Sequence, residues 1–184
     1  DSVKFSGVVC DGVGRYVELH VPGRDEISQA PPDWPVTLEK GSLNVRINPD
    51  GYPSIFRELG LAERVQSLDE QPFSPTFEIS QSQLGNNQLR PEPNMLRKGA
   101  AQVWRATLTV GDRDHRCWVL RRFGSSVGEQ LELLSDDHLR TTCKLANGQQ
   151  VVVTLERGNA YPPRAVTDAG CHVVCEANYV TACV

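Results

Sequence analysis

The sequence predicts a mainly β protein folded as a barrel with a few short helices. Three observations carry that reading. Apolar and polar residues alternate over several short stretches, the period of half-buried strands. The 184 residues include 15 Gly and 12 Pro, which supply many turns and leave little room for long helices. Roughly seven short strands with two or three short helices then fit one closed sheet.

Taken in order, the first strand sets Val3, Phe5, Gly7 and Val9 against Lys4, Ser6 and Val8. Cys10-Asp11-Gly12-Val13-Gly14 breaks it, and a second strand is expected over Arg15 to Val21, ended by Pro22-Gly23. Arg24 to Ala30 reads as one short helix, stopped by Pro31-Pro32. Val36 to Glu39 is a short extended piece. After Gly41-Ser42, an alternating strand points Leu43, Val45 and Ile47 inward, and Asp50-Gly51-Tyr52-Pro53 turns the chain. Ile55, Phe56, Leu59 and Val65 lie near helical spacing, predicting a helix over 54–65 with Ser54 as its N-cap. Phe73 to Ile79 reads as extended, and the polar stretch 80–99 as a long loop.

Ala101 to Val110 is the strongest strand signal, joined by a turn at Gly111 to Asp114 to an antiparallel return over His115 to Phe123. A glycine-rich loop over 124–128 leads to a strand from Gln130 to Leu134. Ser135-Asp136-Asp137 is expected to cap a short helix reaching about Leu145. Asn147-Gly148 turns into a last strand, Gln149 to Glu156. The pattern loosens after Arg157. We therefore expect one barrel domain over 1–157, with an insertion at about 49–100, and a C-terminal extension over 158–184.

Composition narrows the functional classes. Hydrophobic residues make up 39% of the chain and charged residues 23%, a globular balance rather than a disordered one. No run approaches the ~18 apolar residues of a membrane-spanning helix, and Asp1 to Phe5 lack the apolar core of a signal peptide. The net charge of −4 argues against whole-protein attraction to nucleic acid or anionic membrane. Six Cys are too dilute for a disulfide scaffold, and a cytoplasmic, reducing setting is expected. Cys10, Cys117 and Cys143 sit in apolar patterns and read as small buried hydrophobes. Cys171, Cys175 and Cys183 crowd His172, but their spacing is not that of a zinc knuckle.

Several groups carry chemistry. Gly12 and Gly14, closely spaced, let backbone N–H groups approach an anion, with Arg15 adding charge. Taken alone, such a pair is more often a tight turn. Ser42 and Asn44, two apart on one strand, leave the same face, where a hydroxyl and an amide oxygen suit a hard cation such as Mg²⁺. The plainer reading is a turn Ser and a strand Asn. Between Arg90 and Arg122 lie eight basic residues and three acids, a local +5 suited to a phosphorylated ligand or simply to solvated strand faces. Glu132 alternates with Leu131 and Leu133 and so projects from the opposite face. His20, His115, His138 and His172 are scattered singly and give nucleophilic hydrolysis no support.

In their order, these pieces resemble the archaeal-type CTP-dependent riboflavin kinases. Gly12-Val13-Gly14-Arg15-Tyr16-Val17 followed by Gly41-Ser42-Leu43-Asn44-Val45 is similar to that family's glycine turn and its Gly-Thr-Leu-Asn-Val/Leu strand. Leu131-Glu132-Leu133-Leu134-Ser135, Leu139-Arg140 and Leu145-Ala146-Asn147-Gly148 through Val151 resemble the family's ending. The likeness covers about 3–48 and 101–156. It implies a six-stranded cradle-loop barrel, with Gly12, Val13, Gly14, Arg15 and Tyr16 along the nucleotide phosphates, Ser42 and Asn44 on Mg²⁺, and Glu132 on the flavin side. It also implies transfer of the CTP γ-phosphoryl group to riboflavin, giving FMN, with Asn44 and Glu132 as the catalytic residues. The sequence departs from the pattern at Cys10-Asp11, at Ser42 in place of Thr, at Arg121 to Ser125, in the 49–100 insertion and after Arg157. Two other readings follow from the departures and the basic stretch. One is a catalytically inactive flavin- or nucleotide-binding module on the same barrel; the other is a DNA-binding barrel.

Overall fold

The structure is a computed structural model that describes residues 2–12, 20–70, 73–84, 100–123, 125 and 128–158. Seven strands form one antiparallel sheet: β1 (Ser2–Cys10), β2 (Leu43–Ile47), β3 (Phe77–Ile79), β4 (Ala101–Val110), β5 (Arg113–Arg122), β6 (Gln130–Leu134) and β7 (Gln150–Glu156). Six of them close into a barrel. β4, β5, β6, β2, β1 and β7 pair in that order, and β7 returns to β4 through Ala106–Leu155 to Thr109–Val152. β3 occupies the other half of the same β4 edge, from Phe77–Val103 to Ile79–Ala101. With β4, β5 and β6 successive neighbours and β7 returning beside β4, the connection is a Greek key. Closure removes the two edges that these six strands would leave as an open sheet.

Two apolar clusters use the two faces of this wall. Inside lie Val3, Phe5, Val9, Val45, Trp104, Leu108, Val119, Leu133 and Val153, the inward residues of an alternating pattern. Phe56 and Phe73 close one end, with ring centroids 5.7 Å between Phe5 and Phe56 and 5.0 Å between Phe56 and Phe73. Outside, Trp34, Phe77, Ile79, Val103, Trp118, Leu120 and Leu134 form a second cluster against the wall. Trp34 meets both Phe77 and Trp118 edge to face at 5.0 Å, and its indole N–H donates to the Pro22 carbonyl at 3.0 Å. The segment around Trp34 is thus a strap over β4 and β5. Its Asp33 accepts two 2.6 Å hydrogen bonds from Arg105.

The helices are shorter than the sequence predicts. α1 covers only Ser54–Glu58, rather than 54–65. Gly60, at φ 68°, ends it: its N–H donates to the Arg57 carbonyl and that of Leu61 to Phe56, a Schellman closure. The N-cap is Pro53, and the Ser54 hydroxyl instead donates to Glu58. Arg24–Glu26 forms a single 3-10 turn in place of the helix expected to Ala30. A second 3-10 turn spans Val65–Asp69. α2 runs over Leu139–Thr142, and His138 caps it rather than Ser135 to Asp137, its Nδ1 accepting from the Thr141 N–H. Of the strand expected over 15–21, only His20 and Val21 are described, and neither lies in a strand. Most of the 80–99 loop and the C-terminal Cys and His lie outside the described residues.

Candidate functional site

Register assembles the candidate residues on the outer face of the wall. Asn44 on β2 sits opposite Cys10 on β1 and opposite Glu132 on β6. Opposed residues of an antiparallel pair share a face with Cβ atoms about 5 Å apart, so the three form one transverse row. Their neighbours Val9, Leu43, Val45, Leu131 and Leu133 point the other way into the core. The row continues to Leu120 on β5, at the margin of the outer apolar cluster. A carboxylate and an amide are therefore held on rigid strands beside an apolar surface.

Asn44 is the unusual member. It is only 6% exposed, and its Oδ1 has no hydrogen-bond partner among the described residues, while its Nδ2 donates weakly to the Ser42 carbonyl at 3.4 Å. Gly12, two residues past β1, lies directly over it. A Cβ added at Gly12 would collide with the Asn44 amide, so the close approach as it stands depends on glycine or on a shift of that side chain. Gly12 and Asn44, 32 positions apart in sequence, are thus in contact. Ser42 precedes β2 and is half-buried, at the wall of an open cleft of about 90 Å³ lined also by Gly41, Ser135, His138 and Arg140. Glu132 is half-buried. Val13, Gly14, Arg15 and Tyr16 lie outside the described residues.

One polar side chain in this region has no role in the sequence reading. Arg140, on α2, donates to the Cys10 carbonyl at 3.2 Å and to Asn147 Oδ1 at 2.8 Å, and stands 3.8 Å from Asp11. The Leu-Arg pair marks the position in the sequence, but the contact with Cys10 spans 130 residues and no local pattern reveals it.

Among the described residues of the basic stretch, three arginines are paired with carboxylates. Arg105 and Arg116 both reach Asp33. Arg121 is buried, pairing with Asp69 at 2.8 and 2.9 Å and donating to the Ser125 carbonyl at 3.1 Å. Arg90, Arg97 and Lys98 lie outside the described residues. Two of the three cysteines expected to be buried are half-buried, Cys10 and Cys143. Burial still pushes both thiols up, and it pushes the fully enclosed Cys117 to about 12.

Among the described residues, no three His, Cys, Asp or Glu side chains gather as a metal cluster. The donors at Ser42 and Asn44 are of a different kind, a hydroxyl and an amide oxygen, which suit Mg²⁺ retaining several waters. The Oδ1 of Asn44, an acceptor without a partner among the described residues, is of the donor type that such an ion takes. No helix among the described residues is long and apolar enough to cross a membrane. No protein-family model matches the chain, and no curated protein matches its sequence.

Proposed function

We propose that the protein is a cytoplasmic phosphotransferase of the riboflavin-kinase type, which transfers the γ-phosphoryl group of CTP to riboflavin. The observation that carries this reading is the contact of Gly12 with Asn44, whose buried amide oxygen lacks a partner among the described residues, in one row with Glu132. Phosphoryl transfer is mostly positioning and charge neutralisation, so it asks little covalent chemistry of the protein. Ser42 and Asn44 would hold Mg²⁺, which neutralises charge on the phosphate oxygens when bound. Gly12, with the residues that follow it, would line the phosphates. The riboflavin 5′-hydroxyl oxygen bonds to the γ-phosphorus as the bond to the bridging oxygen breaks, and CDP leaves. Glu132 accepts the hydroxyl proton, and the apolar margin at Leu120 excludes water from the transfer.

The test is FMN formation from riboflavin with Mg²⁺ and each of the four nucleoside triphosphates in turn. CTP is expected to serve best, and Asn44→Ala to lower the rate about 100-fold while the barrel stays folded. Riboflavin binding without turnover would select the inactive binding module, a reading that the exposed Asp11 beside the phosphate turn favours. Absence of both binding and turnover would overturn the proposal.

A further inference from the structure

Arg140 belongs to no step above, yet it joins three parts of the site rim. Its Nη2 donates to the Cys10 carbonyl, the last of β1, and its Nη1 to Asn147 in the turn before β7. That turn is itself tied to β1, through Gly148 N–H to the Val9 carbonyl at 2.8 Å and Val9 N–H to the Gln149 carbonyl at 2.9 Å. A planar guanidinium can grip two acceptors at a fixed angle, which a lysine ammonium cannot. The grip falls one residue before Asp11 and two before Gly12, the residue lying on the Asn44 amide. The same guanidinium stands 3.8 Å from Asp11, offsetting that carboxylate's charge beside Gly12.

We infer that Arg140 is a positioning residue that holds Gly12 down on the Asn44 amide, so that a nucleotide phosphate meets this contact already formed. The functional arm of this inference rests on the kinase reading above; the structural arm does not. Without the grip, Asp11 and Gly12 are free to lift from Asn44, and a contact that must first be re-formed binds its ligand more weakly.

Cys10 reports the lift locally and Cys117 reports the fold, since the first is half-buried beside the grip and the second is enclosed. Alkylation of each thiol, resolved by peptide mass spectrometry without nucleotide, is compared in wild type, Arg140→Met and Arg140→Lys. Both variants are expected to speed Cys10 labelling several-fold and to leave Cys117 protected, with Lys closer to wild type. Unchanged Cys10 labelling in Arg140→Met would overturn the inference, and so would equal acceleration at Cys117, which would make Arg140 a support of the whole barrel. In the phosphorylation assay, Arg140→Met is expected to raise the nucleotide KM about tenfold with kcat held within about twofold. A fall in kcat alone would also overturn it. If wild type makes no FMN, the kinase reading fails while the thiol comparison still decides the grip.

Discussion

Asn44 keeps a buried carbonyl oxygen without a partner among the described residues, a condition that costs about 1–3 kcal/mol relative to a satisfied or apolar site. Folding alone gives no reason to retain it, because Leu has nearly the same shape and no polar atom to desolvate. Asn44→Leu is therefore expected to stabilise the protein by about 1 kcal/mol, roughly 2–4 °C in Tm for a chain of this size. The same change should abolish Mg²⁺-dependent phosphorylation, an exchange of stability for activity typical of functional sites. Thermal unfolding and the FMN assay on one variant check both halves. A loss of stability would mean that the amide serves the fold. At this scale the sequence was partly readable. The two-residue period places Ser42 and Asn44 together, and Leu131 and Leu133 send Glu132 to the other face. Which strands would then lie side by side was not readable, since the Asn44–Glu132 opposition depends on pairing between segments 88 positions apart.

Lys144 closes α2 with φ 54°, the one described non-glycine residue in the left-handed region. Its N–H donates to Thr141 and that of Leu145 to Arg140, the same Schellman closure that Gly60 makes after α1. The exposed Lys side chain gains nothing that offsets the strain, so Lys144→Gly is expected to raise stability by about 0.5–1 kcal/mol in denaturant unfolding. The strap allows a pH prediction. The Arg105 guanidinium, bonded twice to Asp33, holds its carboxyl below its usual 3.8. A lowered folded-state value stabilises the fold fully above pH 3.8 and loses that contribution as pH falls below 3.8 and through the folded value. Near-ultraviolet circular dichroism of the Trp34–Trp118 pair is expected to decay over that acid range in wild type. Asp33→Asn should cost about 1–2 kcal/mol at neutral pH and lack the acid-dependent component. Identical acid profiles would remove the strap from the explanation. Elements were legible where alternation was clean, as in β1, β2, β4 and β7. Helix lengths were over-read because Leu59 and Val65 continue the spacing past Gly60, whose backbone had already turned.

Closure of the wall governs how the molecule as a whole comes apart. Strand content was foreseeable from periodicity, but the return of β7 to both β1 and β4 was not, because no local pattern encodes which distant edges meet. That closure leaves β5 hydrogen-bonded on both sides, to β4 along its full length and to β6 through Trp118, Val119 and Leu120. Cys117 lies on this strand, 3% exposed, and burial pushes its thiol to about 12. At pH 8 only about one thiol in ten thousand is then ionised, so the native state is inert on two counts, access and charge. Freeing β5 requires breaking two ladders in a closed sheet, which leaves little of the barrel standing. Labelling of Cys117 is thus expected to report the same unfolding free energy as far-ultraviolet circular dichroism, with the same dependence on urea. Cys10 and Cys143, both half-buried, should label by smaller openings with weaker urea dependence. If Cys117 instead labels through an opening clearly cheaper than global unfolding, β5 can leave the sheet alone, and the barrel is not the single cooperative unit that its pairing describes.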